Sequence, residues 1–381
     1  MEISIDEKVQ PVAQAYRQVP VALEKKVEEK LNDWIRMEIV EQVSTSSWVS
    51  PLVVVPKGND EIRLCVDMRR ANQAVIRERF VMPTLENLLP MLHGAKVFAK
   101  LDIKDAFHQL ELSEGCRHIT TFITKRGLLR FKRLMFGISC APEIFQKTIH
   151  KILLGLDGTF NYLDDIIIFG KTSEELENNR DKVLKRLEEY GVVLNRKKCI
   201  MKAEMLHFLG HVISANGIKP SESKVKAIQD FRAPRSKEEV QSFLGLATYI
   251  GSKFIFNLST ITEPLRVLCK KDNNFEWNAK EQLAFEEIKK AISNDLILGF
   301  YNPNDKTELY TDASPVGLGA VLVQHGREDG ATRVVAIASK ALTDVERRYC
   351  QSEKESLAIV WAVATTLVAP SSLPCCTSTA P

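Results

Sequence analysis

The segment Phe160–Gly170, FNYLDDIIIFG, places two adjacent carboxylates between two apolar runs. The runs, Phe160–Leu163 and Ile166–Phe169, are rich in the aromatic and β-branched residues typical of strands. This pattern predicts a β-hairpin with Asp164 and Asp165 at its tip. Two like charges about 4 Å apart repel by roughly 4 kcal/mol near a protein surface, so the pair needs a proton, a cationic side chain or a metal. Mg²⁺ prefers such hard oxygen ligands; an ordinary Asp-containing turn is the alternative.

The composition is that of a globular protein with more than one core. The 381 residues exceed the usual size of a single hydrophobic core. The net charge of +3 means that nucleic-acid binding would have to come from local basic stripes. The eight cysteines are scattered without a CxxC pair, which favours free thiols in a reducing compartment. The sequence has neither a signal-peptide-like start nor an apolar run of about 18–20 residues, so no membrane partner is expected.

A second hairpin is predicted in the first hundred residues. Pro51–Pro56 and Glu61–Val66 have the composition of strands, and the Gly-Asn-Asp sequence at 58–60 is typical of a turn. Lys57 and Arg63 flank that turn, so the hairpin could direct both cations to one side. Solvated surface charges are the alternative.

A strand with a terminal carboxylate, Val97–Ile103, lies upstream of the opening segment and contains Asp102. If this strand and the hairpin Phe160–Gly170 are neighbours in one antiparallel sheet, three carboxylates converge. Three such groups could hold two metal ions, which suits in-line displacement at phosphorus.

Two further segments have clear periodicity. Val21–Val43 carries apolar residues at helical spacing and is predicted to form an amphipathic helix. In Lys125–Phe136 basic residues alternate with apolar ones, as in a strand with one cationic face. That face could follow a phosphate backbone or could simply be solvated.

The carboxylate segments Tyr162–Asp165 and Leu101–Gln109 resemble the active-site pair of retroviral and retrotransposon reverse transcriptases. The resemblance runs from about residue 10 to about residue 364, and the chain is similar to long-terminal-repeat elements of the gypsy class. The other segments that resemble this class, in the same order, are SPLVVVPKGNDEIRLCVDMRRAN (Ser50–Asn72), RLMFGISCAPEIFQ (Arg133–Gln146), LNRKKC (Leu194–Cys199), FLGHVIS (Phe208–Ser214) and VQSFLGLATYI (Val240–Ile250).

The resemblance implies an α+β fold, a right-hand polymerase followed by a truncated RNase H-like α/β domain. The implied domains are an extended N-terminal segment (1–20), fingers (21–96 and 116–134), palm (97–115 and 135–218, with the primer grip), thumb or connecting helices (219–300), a partial RNase H-like domain (301–365) and an unmatched tail (366–381).

The resemblance also implies an RNA-directed DNA polymerase with a two-metal site. Asp102, Asp164 and Asp165 would bind two Mg²⁺ ions, with Mn²⁺ as the alternative, while the primer 3′-hydroxyl attacks the α-phosphate of a deoxynucleotide. Nucleotide-binding roles fall on Lys57 and Arg63 (triphosphate clamp), Ala106 (space for the ribose), Phe107 (exclusion of a 2′-hydroxyl) and Gln146 (contact with the nucleotide). The primer grip would be formed by Phe208, Leu209, Gly210 and His211.

The partners implied by the family are an RNA template, a DNA primer, an RNA–DNA hybrid and dNTPs, with a dimer or other polyprotein segments as further partners. The implied location is the cytoplasm, within a particle if the element is active, with the nucleus as an alternative. A decayed remnant that binds primer–template without chemistry is the rival function.

The last third resembles the opening of an RNase H domain. Glu308–Ser314 and Val316–Gln324 are predicted strands and Ser352–Ala364 a helix, with Asp312 and Glu355 matching the first two metal-binding carboxylates. The sequence departs from the family after Glu355, where no charged residue follows. A frame change, a decayed copy or a mispredicted exon would explain this, and RNase H activity is expected to be absent unless a fuller copy supplies the rest.

Two weaker patterns suggest other ligands. Cys199, His207 and His211 could bind zinc, but no fourth ligand has suitable spacing. Gly317-Leu-Gly319 is too short for a dinucleotide-binding motif, so packing glycines are expected there.

Overall fold

The structure, a computed structural model, describes residues 1–57, 61–270, 273–292, 297–327 and 330–366, with only the backbone of Lys57 and Thr366. The chain forms two compact units. The first comprises Met1–Pro83, Ala99–Ile168 and Leu176–Met201, and the second comprises Thr84–Phe98, Phe169–Glu175 and the described residues from Lys202 onward. The boundaries predicted for fingers, palm, thumb and RNase H-like domain stay predictions, and most of the predicted tail lies outside the described residues.

The chain mixes helices and strands, as expected for an α+β protein. The helices are α1 (Val21–Arg36), α2 (Leu85–Leu88), α3 (Ala141–Leu153), α4 (Ser173–Glu189), α5 (Glu222–Gln229), α6 (Lys237–Phe254), α7 (Leu258–Ile261), α8 (Glu263–Leu268), α9 (Ala279–Ile292) and α10 (Gln351–Thr366). The strands are β1 (Val40–Val43), β2 (Ser50–Lys57), β3 (Glu61–Val66), β4 (Val97–Asp102), β5 (Phe122–Thr124), β6 (Gly127–Phe131), β7 (Thr159–Tyr162), β8 (Asp165–Gly170), β9 (Ile200–Ala203), β10 (Met205–Phe208), β11 (His211–Ser214), β12 (Gly217–Pro220), β13 (Lys306–Ala313), β14 (Gly317–His325) and β15 (Thr332–Ala341). Among the described residues, no helix is long and apolar enough to cross a membrane.

The first unit contains a five-stranded sheet in the order β1-β6-β5-β2-β3. The helix predicted over Val21–Val43 is wrong at its end. Helix α1 stops at Arg36, Glu38 takes a positive φ of 53°, and Val40–Val43 pairs antiparallel with β6. Strand pairing outweighs helical spacing here because it covers the edge of β6 and buries Val40.

The predicted β2–β3 hairpin is confirmed. Its antiparallel register places Val55 opposite Arg63 and Lys57 opposite Glu61. The turn at 58–60 and the Lys57 side chain lie outside the described part of the chain.

Four of the five basic residues of β6 and its flanks are paired with acidic residues, and the fifth, Arg133, donates to the His108 carbonyl oxygen. Lys132 lies 3.7 Å from Glu38, and Arg130 donates to Glu41 at 2.6 Å. The other ion pairs of this segment join Lys125 to Glu24 and Arg126 to Glu28. This pairing favours an internally neutralised surface over a phosphate track.

A four-stranded sheet in the order β7-β8-β4-β9 carries the opening segment. The predicted hairpin is confirmed, with Tyr162 paired to Asp165 at its tip. Strand β4 is hydrogen-bonded to β8, so the strand that ends at Asp102 is a neighbour of the hairpin, as expected.

The second unit combines two three-stranded antiparallel sheets with helices. Strands β10-β11-β12 form one sheet, and β13-β14-β15 form the other. Helix α10 packs on the second sheet around a core of Ala313, Leu318, Leu342 and Ala358. Strand β15 was not predicted from the sequence.

The start of β12 is a tight contact between backbones. Ile218 and Leu298 exchange two backbone hydrogen bonds of 2.9 Å. Gly217 has a φ of +126°, and a Cβ atom there would lie 2.0 Å from the Leu298 carbonyl oxygen. Only glycine fits this approach.

We expect Gly217→Ala to lower the free energy of unfolding of the second unit by about 3 kcal/mol, because the added methyl must displace backbone. The control is Gly330→Ala in the same unit, where φ is +62° and no atom lies within 4 Å of the added Cβ. It should cost only about 1 kcal/mol of backbone strain. Urea unfolding followed by circular dichroism compares them, and equal losses would contradict the backbone clash.

Candidate active site

Asp102 and Asp165 stand on the neighbouring strands β4 and β8 of one sheet, and Asp164 lies in the turn just before β8. The Ile103 amide donates to the Asp164 carbonyl oxygen at 2.9 Å, which ties the residue after Asp102 to the hairpin tip. Asp102 is only 8% exposed. Its carbonyl oxygen accepts from the Asn195 amide at 2.8 Å, so its backbone is fixed on both sides.

The hairpin turns sharply because Leu163 has a positive φ of 51°, an uncommon conformation for a residue with a Cβ atom. Gln146 of α3 holds this turn. Its Nε2 donates to the Asn161 carbonyl oxygen at 2.9 Å, and its Oε1 accepts from the Leu163 amide at 2.6 Å. The Gln146 side chain is 1% exposed and its amide is engaged by the hairpin backbone, and the nucleotide contact inferred for it stays a prediction.

Lysine side chains neutralise part of the carboxylate charge. Lys100 Nζ lies 2.8 Å from Asp165 Oδ2, and Lys198 Nζ lies 3.5 Å from Asp102 Oδ2. Burial raises the pKa of the Asp165 carboxyl, Lys100 lowers it, and the charges of Asp164 and Asp102 raise it further. The three carboxylates thus interact electrostatically.

These carboxylates suit divalent ions by their donor chemistry. They are hard oxygen ligands that repel one another, and they range from the buried Asp102 to the exposed Asp164. Asp102, Asp164 and Asp165 are the residues that would hold such ions. Among the described residues, no group of three or more His, Cys, Asp or Glu side chains lies close enough together to hold a metal ion.

An aromatic cluster next to the carboxylates connects two residues with predicted nucleotide-binding roles. Phe107 packs against Phe136, with ring centroids 4.7 Å apart, and the Arg63 guanidinium carbon lies 4.8 Å from the Phe136 centroid. Ala106 is buried beside Phe107. Phe136 is 40% exposed and was missed as a site residue, although it lies in a motif that resembles the family. The structure thus brings Arg63 and Phe107 together through Phe136.

His108, next to Phe107, is a half-buried member of the same cluster. Its ring stacks on Phe131 at a centroid distance of 6.0 Å and meets Phe136 edge-on at 5.8 Å. Burial lowers the pKa of His108 to about 4, which the charge of Asp105 partly opposes.

The predicted primer grip forms a hairpin in the second unit, as β10 and β11 with a turn at Leu209 and Gly210. The Phe208 and His211 side chains are buried, so the turn presents Leu209 and Gly210 instead. The Tyr249 hydroxyl donates to the Leu209 carbonyl oxygen at 3.1 Å, a brace that sequence reasoning missed.

The two RNase H-like carboxylates lie on β13 and α10. Asp312 Oδ2 accepts from Asn257 Nδ2 at 3.0 Å, and Gln351 Nε2 donates both to Glu355 Oε1 and to the Ala313 carbonyl oxygen at 2.8 Å. Gln351 thereby joins the two carboxylate positions.

The glycine pair of β14 is a packing feature, as predicted. A Cβ atom at Gly317 would lie 2.2 Å from Ser259 Oγ, and one at Gly319 would lie 2.0 Å from Asn257 Oδ1.

Comparison with protein families agrees with this geometry. Residues 55–213 match the family described as reverse transcriptase (RNA-dependent DNA polymerase). Residues 277–367 match the RNase H-like domain found in reverse transcriptase. The chain thus contains a reverse transcriptase region, followed by an RNase H-like region.

The relatives are retrotransposon polyproteins, which confirms the predicted resemblance. The chain is 35% identical over 358 residues to the retrovirus-related Pol polyprotein from transposon 297 of Drosophila melanogaster, covering 93% of this chain and 33% of the relative. It is 34% identical over 340 residues to the Pol polyprotein from transposon gypsy of the same organism, covering 84% of this chain and 32% of that relative. The chain thus spans about a third of the length of these relatives.

The fold is also that of a solved polymerase. The foamy viral protease-reverse transcriptase dRH, solved in complex with dsDNA, superposes with a TM-score of 0.85 at 24% identity, covering 94% of this chain and 63% of that one. The same viral enzyme in complex with an RNA/DNA hybrid gives a TM-score of 0.81 at 24% identity, covering 96% and 49%. The expected fold class, a right-hand polymerase followed by an RNase H-like region, is confirmed.

We expect Gln146→Leu to lower the free energy of unfolding of the first unit by about 2–4 kcal/mol, because two buried backbone groups lose their hydrogen bonds. Amide hydrogen exchange of Asn161 to Asp165 should accelerate, and the exposed substitution Gln73→Leu is the control. Unchanged exchange at the hairpin tip would contradict the positioning role.

Stability should fall in acid through His108. Its pKa is about 4 in the folded chain and about 6.5 in an ordinary setting. The unfolded chain therefore binds a proton first, and stability is lost as pH falls from about 6.5 towards 4. The loss should reach about 3 kcal/mol. Urea unfolding at pH 7 and pH 4.5 measures it, and His108→Gln should flatten the dependence. A variant with the full wild-type dependence would contradict this assignment.

Proposed function

We propose that this chain is an RNA-directed DNA polymerase that extends a primer with deoxynucleotides on an RNA or DNA template. The observation that carries the proposal is the placement of Asp102 and Asp165 on neighbouring strands, with Asp164 in the adjoining turn and bound there by the hydrogen bond from the Ile103 amide. A hairpin held by a buried glutamine is the kind of rigid support that a positioned reaction needs.

The residues around the aspartates have distinct roles in this proposal. The aspartates would hold two divalent ions, Mg²⁺ or Mn²⁺. When bound, these ions would stabilise the negative charge on the attacking and leaving oxygens. Arg63 offers a planar fork to the triphosphate, and Lys57 offers a second cation. Phe107, fixed by Phe136 and Phe145, limits the space beside the sugar, while Ala106 leaves room for the ribose ring.

The proposed partners are an RNA template, a DNA primer, their hybrid and dNTPs. Support comes from the fold shared with a viral enzyme that was solved with dsDNA and with an RNA/DNA hybrid. The primer grip Phe208–His211 would hold the primer end through its turn. Dimerisation, further polyprotein segments and a cytoplasmic, particle-bound location, or a nuclear one, belong to the same proposal.

The RNase H-like region is proposed not to cleave RNA by itself. A two-metal nuclease of this kind needs about four carboxylates, and the sequence supplies Asp312 and Glu355 with no acidic residue after them. Cleavage of the RNA strand of a hybrid that is abolished by Asp312→Asn would contradict this proposal.

Primer extension on poly(rA)/oligo(dT) tests the polymerase proposal. We expect Mg²⁺-dependent synthesis that falls by at least about a hundredfold in Asp164→Asn, because a direct ligand should matter at least as much as the residues behind it. The matched control is Asp181→Asn, since Asp181 is an exposed aspartate of α4 that pairs with Arg180. No synthesis by folded protein, or synthesis unaffected by Asp164→Asn, would contradict the proposal.

Hybrid binding measured beside extension separates the rival function. A decayed remnant would bind primer–template in a salt-sensitive manner and make no product. The intact set of three aspartates with Arg63 and Phe107 favours the active enzyme.

A further inference from the structure

Lys100 occupies an unusual place beside the polymerase carboxylates. It precedes Asp102 by two residues on β4, and residues at this spacing in a strand lie on the same face. Its Nζ lies 2.8 Å from Asp165 Oδ2 on the neighbouring strand. The two side chains are 21% and 26% exposed, so this ion pair is largely shielded from solvent.

The second lysine of the site is different. Lys198 is 66% exposed and lies 3.5 Å from Asp102 Oδ2. Such an exposed pair is screened by water and salt and contributes little. Lys100 therefore interacts with the aspartates more strongly than Lys198 does, and it acts on one carboxylate, that of Asp165.

We propose that Lys100 is a positioning residue that neutralises Asp165 and competes with divalent ions for this carboxylate. This inference rests on the proposed polymerase function. An oxygen held by an ammonium group cannot at the same time coordinate a cation at full strength, and the Lys100 charge also repels an arriving ion. Asp164, which is exposed, and Asp102, whose pair with the exposed Lys198 is weaker, then remain as the carboxylates for a first ion.

The pair also explains how the fold tolerates three neighbouring carboxylates. Without an ion their repulsion would oppose folding of the β7–β8 hairpin against β4. Lys100 offsets that repulsion and must release Asp165 when the site fills. The affinity for metal is accordingly lower than three free carboxylates would give.

Removing the ammonium should therefore tighten metal binding. We expect Lys100→Met, which keeps a long apolar side chain, to bind Mn²⁺ about fivefold to tenfold more tightly than the wild type, as for the loss of one half-buried ion pair. Lys100→Arg, which keeps the charge, should stay within about twofold of the wild type. The matched control Lys198→Met should also bind Mn²⁺ within about twofold of the wild type, because the ion pair of Lys198 with Asp102 is exposed to solvent on the lysine side.

The experiment measures free Mn²⁺ by electron paramagnetic resonance during titration of the full chain at pH 8, with circular dichroism to confirm folding. A double variant identifies the partner. If Lys100 acts through Asp165, then Lys100→Met brings no further gain in an Asp165→Asn background. The Mg²⁺ concentration for half-maximal primer extension should fall by the same factor. If Lys100→Met does not fold, Lys100→Gln carries the same expectation.

The outcomes separate this inference from the proposed function. Saturable Mn²⁺ binding that is equal in wild type and Lys100→Met would overturn the role of Lys100 and leave the polymerase proposal standing. A gain that persists in Asp165→Asn would also overturn it, because the effect would then be one of general charge. Absence of Mn²⁺ binding in the wild type and in every variant would overturn both proposals.

Discussion

The hydrogen bond from the Ile103 amide to the Asp164 carbonyl oxygen joins two distant parts of the sequence and fixes where the aspartates stand. It requires the hairpin to turn at Leu163 with a positive φ, a conformation that costs energy for a non-glycine residue. Gln146 offsets that cost from α3 by binding the backbone on both sides of Tyr162. The position of the site thus depends on one buried amide.

Charge is the second constraint. Three carboxylates on two adjacent strands are unfavourable unless positive charge compensates them. Lys100 provides that charge from within the sheet, and Lys198 adds a weaker contribution from the surface. Because the lysines neutralise part of the carboxylate charge, the sheet can fold before a metal ion binds. This links the stability of the sheet to the affinity of the site.

The sequence predicted the fold class, the hairpin around Asp164 and the strand of Asp102, because strand periodicity and family motifs are local signals. It did not predict that Gln146 binds the backbone of the hairpin, because this contact joins two separate segments of the chain. It extended the first helix through Val40–Val43 because the pairing with β6 is a long-range interaction. The contacts of Phe136 and Lys100 were missed for the same reason: their partners lie on other segments of the chain.

Anomalous X-ray diffraction from crystals of the full chain with Mn²⁺, primer–template and an incoming nucleotide tests the central claim, that the aspartates of β4 and the β7–β8 hairpin form one metal site. The account predicts anomalous peaks coordinated by the carboxylates of Asp102 and Asp164. Peaks confined to other carboxylates, or a bound nucleotide with no peak between these two residues, would contradict it.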